Sequence, residues 1–140
     1  ITRARPDGSG LAHAINYAMQ AAGIQASDIA FVNAHGTGTG GNDSLEASVL
    51  IRIFGAGLKY LSTKRMTGHT LGAAGALEFI FTGIMLAEGK AAPSHGFENL
   101  PDDIAAAPVA SLCAVNGKFA LSTSLAFGGC NSALIVERLR

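Results

Sequence analysis

The residues best suited to chemistry in this chain lie in two short segments. In the first, Val32-Asn33-Ala34-His35-Gly36-Thr37-Gly38-Thr39-Gly40-Gly41-Asn42-Asp43, a histidine and a turn of glycines and threonines directly follow an apolar run. In the second, Lys64-Arg65-Met66-Thr67-Gly68-His69-Thr70-Leu71-Gly72-Ala73-Ala74-Gly75, another histidine stands beside glycines at the mouth of a long apolar stretch. Glycine lets a ligand approach the backbone, and the Thr37 and Thr39 hydroxyls can bond an amide-bearing or phosphate-bearing chain, although stabilising the turn would also account for them. Glu78 lies among Leu77, Phe79, Ile80 and Phe81. A carboxylate buried there needs a cation, and Lys64 is the nearest in sequence. Such a pair either fixes the protonation state of His69 or is purely structural; the residues alone support both readings equally.

Other chemistries fit less well. Gly36, Gly38 and Gly41 satisfy GxGxxG between a strand and a helix, but the acid that would hold a ribose about twenty residues on is missing, since residues 54–60 contain none. The phosphate-loop motif GxxxxGK[ST] is absent too. His13, His35, His69 and His95 have no metal-ligand spacing, so no metal is expected. His13 and His95 read as hydrogen-bonded structural residues. Asp43 and Glu46 fall at the start of the next helix, where capping and dipole compensation explain them.

The elements that must position these groups follow from periodicity. Residues 10–22 form a helix with Leu11, Ile15, Ala18, Met19 and Ala22 on one face and Gly23 as its stop. Residues 29–34 form a strand, and Asn42 or Asp43 caps a helix over 44–54 that Gly55 and Gly57 end. A short strand over 59–63, a helix over 71–88 and closing strands over 119–125 and 133–139 complete the chain, with a polar loop containing Pro93, Asn99, Pro101 and Asp102 between. Alternating helix and strand imply an α/β fold, a sheet covered by helices, with ligands collecting past the carboxyl ends of strands. His35, Lys64 and Phe127 each lie just beyond a strand, so they can converge at one edge.

With 49% hydrophobic and only 14% charged residues, the 140-residue chain is apolar enough that part of its surface is expected to face a partner. Net charge is zero and no basic cluster is dense, which excludes a nucleic-acid surface. The apolar stretch from Leu71 to Ala87 carries Glu78 at its centre and is short for a bilayer, so it reads as a helix buried inside the fold. Cys113 and Cys130 lack CxxC spacing, which favours free thiols in a reducing cytoplasm. The opening Ile1-Thr2-Arg3-Ala4-Arg5-Pro6-Asp7 reads as the interior of a longer sequence.

Three ordered segments, VNAHGTGTGGND, STKRMTGHTLGAAGALE and FGGCNSALIVE, resemble the histidine motif, the lysine and second-histidine motif, and the glycine-rich closing strand pair of the β-ketoacyl-acyl-carrier-protein synthases. Nearly the whole chain, residues 1–140, is similar to the C-terminal half of these condensing enzymes. The resemblance implies a thiolase-like fold, one half of a layered α/β/α/β/α sandwich with a mixed sheet. It implies a decarboxylative Claisen condensation in fatty acid or polyketide synthesis. His35 and His69 would stabilise the enolate oxygen, and Lys64 and Glu78 would form the ordering ion pair. Thr37 and Thr39 would bind the phosphopantetheine arm, and Phe127, with Gly128 and Gly129, would gate the acyl pocket.

No cofactor would be bound by the protein itself, since the phosphopantetheine belongs to the acyl carrier protein. The expected partners are that carrier, the N-terminal half with its nucleophilic cysteine, and a second copy or a related chain in a dimer. Departures from the family pattern are Leu125 and Ala126, where phenylalanine and glycine are usual, Cys130, where a small polar residue is usual, and Arg65, where a small residue commonly follows the lysine. Cys130 is expected to point toward sheet packing rather than to act as a nucleophile. A competing reading from a different class is a non-catalytic, chain-length-factor-like subunit that shapes the pocket of an active partner.

Overall fold

The computed structural model describes residues 4–97 and 99–139. Helix α1 (Ser9–Ala22) leads through a single 3-10 turn into strand β1 (Ile29–Asn33), followed by α2 (Asn42–Phe54) and β2 (Tyr60–Leu61). The one-turn helix α3 (Lys64–Thr67) and a 3-10 turn (Leu71–Ala73) precede α4 (Ala74–Glu88). The short strands β3 (Lys90–Ala91) and β4 (Cys113–Ala114) flank a long loop, and β5 (Phe119–Ala126) and β6 (Cys130–Glu137) close the chain.

The main sheet has the order β2-β1-β5-β6, with β1 parallel to β2 and β5, and β6 antiparallel to β5. It is therefore a mixed sheet covered by helices on both faces, an α/β layer arrangement. Alternate residues of β1 serve the two faces. Val32 joins Leu11, Ile15, Val49 and Leu50 under α1 and α2, while Phe31 joins Leu61, Met85 and Leu86 under α4. A strand buried on both faces reads as a continuous apolar run, as Ile29 to Val32 does. Gly23 ends α1 as periodicity indicated, in the left-handed conformation at φ 68°.

The structure corrects several boundaries. The strand expected over 59–63 shrinks to Tyr60–Leu61, because its outer edge and the backbone after it bond the long loop: Val109 N–H donates to Tyr60 O at 2.8 Å, and beyond the strand Ser62 N–H donates to Ser94 Oγ at 2.9 Å. The last strand begins at Cys130 and ends at Glu137, three residues ahead of its expected start, because a tight turn over Phe127–Gly129 suffices to reverse the chain. The helix expected over 71–88 becomes a 3-10 turn followed by α4. Leu71 sits at φ 52°, a conformation a branched aliphatic residue rarely adopts.

Helix α4 is also not buried all round. Ala74, Glu78, Thr82, Met85 and Leu86 face the sheet, but Ile80 and Ile84 are 54% and 55% exposed. A helix apolar on every side is built to be covered on both, and this chain covers one. By length and composition alone the Leu71–Glu88 stretch passes for a membrane span. Its Glu78 is buried against the fold, and Asn33 Nδ2 donates to Glu78 O at 3.2 Å, which ties the helix to the sheet.

Candidate active site

The loop after β1 is shaped by two carboxylates that reach back from α2. Glu46, 3% exposed, accepts the backbone N–H of His35 on Oε1 and that of Gly36 on Oε2, both at 2.9 Å, and the Thr123 hydroxyl donates to Oε1 at 2.8 Å. Asp43 accepts the next two, from Thr37 at 3.1 Å and Gly38 at 3.0 Å. Four consecutive amides are thus held by two acids. The expected capping role is overturned: α2 starts from Gly41 with no side-chain cap, because both acids are occupied with the preceding loop. Burial raises both carboxyl pKa values above the ordinary range, partly opposed by these amide bonds.

This arrangement also removes the dinucleotide reading. The strand, glycine turn and helix are present, but the amides of Gly36 and Gly38 that would receive a phosphate already bond carboxylates, which would repel one. Gly36 is required for another reason. At φ 42°, a Cβ there would stand 2.5 Å from Ser62 Cβ, where the loop crosses the end of β2. Ser62 Oγ donates to Gly36 O at 3.1 Å and fixes that crossing.

The crossing brings the two histidines together. Their ring centroids are 5.4 Å apart and the rings meet edge to face at 85°. The imidazole of His35 is only 6% exposed, and its pKa is held down to about 4, by burial first and then by the charges of Lys64 and His69. It is therefore neutral near pH 7. In His69 the Leu71 N–H donates to Nδ1 at 3.1 Å, so in the neutral ring Nε2 carries the proton.

Lys64 and Glu78 form a buried ion pair between Nζ and Oε1, their side chains 6% and 3% exposed. Burial raises the Glu78 pKa, opposed by the lysine's hydrogen bond and charge. The second carboxylate oxygen of Glu78 and Asn33 Oδ1 are buried without a hydrogen-bond partner among the described residues.

A cavity of about 970 Å³ opens beside this cluster, lined by Thr37, Thr39, Lys64, Arg65 and His69 on one side and by Ser94, Gly96, Phe97, Asn99, Pro101 and Asp103 of the long loop on the other. His35 is buried and meets the cavity through its contact with the His69 ring. The hydroxyls of Thr37 and Thr39 lie 2.8 Å apart and bond each other. The far wall was not legible in the sequence. It is laced down by Ser44 Oγ donating to Asp103 and by the Tyr60 hydroxyl donating to Ala106 O. Burial, with Glu46 and Asp43 nearby, pushes the Tyr60 phenol up to about 12.

Phe127 and its glycines are not brought to this cavity. Phe127 is 77% exposed, and Gly129 lines a separate shallow groove with Gly10, His13, Tyr17 and Asn131. His13 and His95 are exposed and make no side-chain hydrogen bond among the described residues, so their structural reading fails; His95 instead lines the main cavity. Cys130 is exposed rather than turned into sheet packing, since it begins β6 beside the turn, and Cys113 is half-buried; both are free thiols.

Residues 1–98 match the sequence profile of the β-ketoacyl synthase C-terminal domain. Over 145 aligned residues the chain is 38% identical to 3-oxoacyl-[acyl-carrier-protein] synthase 2 of Staphylococcus aureus strain COL, covering 99% of this chain and 34% of that protein. A β-ketoacyl synthase structure from Burkholderia phymatum STM815 superposes with a TM-score of 0.90 at 36% identity, covering 96% of this chain and 34% of that one. A ketosynthase in complex with its chain length factor, from Xenorhabdus doucetiae, gives a TM-score of 0.89 at 37% identity, over 99% and 35%. The chain spans about a third of the length of these relatives. The fold is thus the thiolase-like ketosynthase fold.

Proposed function

The chain belongs to the β-ketoacyl synthase family through its C-terminal domain, and we propose that it carries the histidine half of a site for decarboxylative Claisen condensation. In this reading a malonyl thioester on an acyl carrier protein loses carbon dioxide: the bond to the carboxylate breaks and its electron pair remains as a thioester enolate. The enolate carbon attacks an acyl thioester held on a cysteine outside residues 1–140. A carbon–carbon bond forms, and the cysteine leaves as thiolate.

His35 and His69 act at the enolate oxygen. Negative charge develops there, and preorganised donors around it lower the barrier by several kcal/mol on typical magnitudes. The observation that carries the reading is the state of the two rings, one kept neutral by burial and the other with its Nε2 proton fixed by a backbone bond to Nδ1. Lys64 and Glu78 order the site, and the Lys64 charge adds to burial in depressing the His35 pKa. Thr37 and Thr39 receive the amides of the pantetheine arm along the cavity, and Phe127 with Gly128 and Gly129, which lie away from that cavity, would gate an acyl pocket completed by residues outside 1–140. The phosphopantetheine enters as part of the substrate. The remaining partners are the carrier protein, the nucleophile-bearing part and a paired subunit, working in the cytoplasm.

The test is malonyl-carrier decarboxylation and acyl condensation by the assembled native protein. His35→Ala is expected to reduce decarboxylation about 10²- to 10³-fold. Unchanged decarboxylation would sink the catalytic assignment and leave the chain-length-factor reading, to which the Xenorhabdus complex and the altered Leu125 and Ala126 lend support.

A further inference from the structure

The geometry points to Arg65 as the residue that reads the phosphate end of the carrier arm, a specificity element at the cavity rim. This rests on the pantetheine reading of the cavity. Along the loop after β1 exposure rises from His35, which is buried, through Thr37, half-buried, to Thr39, exposed; on the facing segment both His69 and Arg65 are exposed. A linear ligand with its thioester at the histidines and its amides at the threonines must place its far end, the phosphodiester, among the exposed rim residues.

Charge at the rim favours Arg65. Lys64 is committed to Glu78, and the other ion pair among the described residues, Lys118–Glu137, lies elsewhere in the fold. The acids of the wall are engaged as well: Asp43 and Glu46 hold backbone amides, and Asp103 accepts from Ser44. That leaves the Arg65 guanidinium as the wall's strong cation without a carboxylate among the described residues.

Its position is also preset. Gly96, at φ 75°, lets the arginine stem lie along the loop opposite, so that a Cβ at Gly96 would come within 3.0 Å of Arg65 Nε and 3.5 Å of its Cγ. A guanidinium seated this way offers a planar fork of donors suited to phosphate oxygens.

The experiment compares calorimetric binding of 4′-phosphopantetheine and pantetheine by the native protein and by its Arg65→Ser and Arg65→Lys variants. The native protein is expected to bind the phosphorylated arm roughly tenfold tighter or more, in a salt-dependent way. Arg65→Ser should erase that difference while pantetheine itself still binds, and Arg65→Lys should keep part of it. If Arg65→Ser preserves the difference, or weakens both arms equally, the role of Arg65 is overturned and the cavity reading stands. Binding of neither arm by the native protein overturns both.

Discussion

Glu46 and Glu78 are equally hidden, at 3% and 2% exposed, yet their carboxylates are held in opposite ways. Glu78 faces a full positive charge from Lys64. Glu46 meets only neutral donors, two backbone amides and one hydroxyl. The difference separates two tasks. The pair, joining the start of α3 to α4, sets the local field, in which the Lys64 charge adds to burial in lowering the His35 pKa. The lone carboxylate behind β1 sets backbone shape, holding the His35 amide without placing a further cation beside the ring. A lysine opposite Glu46 would satisfy the acid equally well but would do the second task at the expense of the first.

Breaking the ion pair should have the largest effect. Lys64→Met leaves an uncompensated buried carboxylate and is expected to cost about 3 to 5 kcal/mol, read from the denaturant midpoint. Lys64→Met combined with Glu78→Leu should recover much of that loss. If the double variant is as unstable as the sum of the singles, the pair is not a closed electrostatic unit.

Glu46→Gln turns an amide NH2 toward an N–H donor that the carboxylate had satisfied. Stability is expected to fall by about 2 to 3 kcal/mol. The sharper signature is kinetic, because turnover should fall as the His35 and Gly36 amides lose the carboxylate that holds them. An unaltered rate would separate Glu46 from the placement of His35.

The smallest effect is a pH dependence. The His35 pKa is lowered from 6.5 to about 4 in the folded chain, so between those values the unfolded state binds more protons. Stability is therefore present above pH 6.5 and is lost as pH falls toward 4, by about 2 kcal/mol between pH 7 and 5. Glu46 and Glu78 contribute with the opposite sign. Their raised pKa values make the folded state the better proton binder, so stability declines as pH rises from the ordinary glutamate value through the raised one. Replacing His35 with asparagine should flatten the acid-side slope in pH-dependent unfolding and leave the opposing one.

Local signals made much of the fold legible. The period of Leu11, Ile15 and Met19 marked α1, and the run from Ile29 to Val32 marked β1. The charge argument for Lys64 and Glu78 needed only that a buried acid requires a cation, and the pair forms. Glu46 was missed because an acid near a helix start has a ready local explanation, whereas its true partners lie back in the loop and on β5. Its spacing offered a signal, since Asp43 and Glu46, three residues apart, share a helix face that can point back toward the preceding turn. The loop from Ser94 to Asp103 was unreadable, because its contacts with Ser62 and Ser44 are nonlocal and leave no periodic trace. The exposure of Ile80 and Ile84 follows from a similar limit: a pattern shows that a helix is apolar on all sides, but not what lies on each.

The conformation of Leu71 has a consequence for anyone who would make this protein tougher. Its backbone N–H orients His69 from a left-handed conformation that glycine would adopt without strain. Replacing Leu71 with glycine would be among the first substitutions a thermostability programme selects. It would also free the segment that keeps the imidazole in one tautomer. Hardiness and reactivity therefore compete at a single peptide unit, and a screen that rewards heat resistance alone would drift toward sturdier proteins that work more slowly.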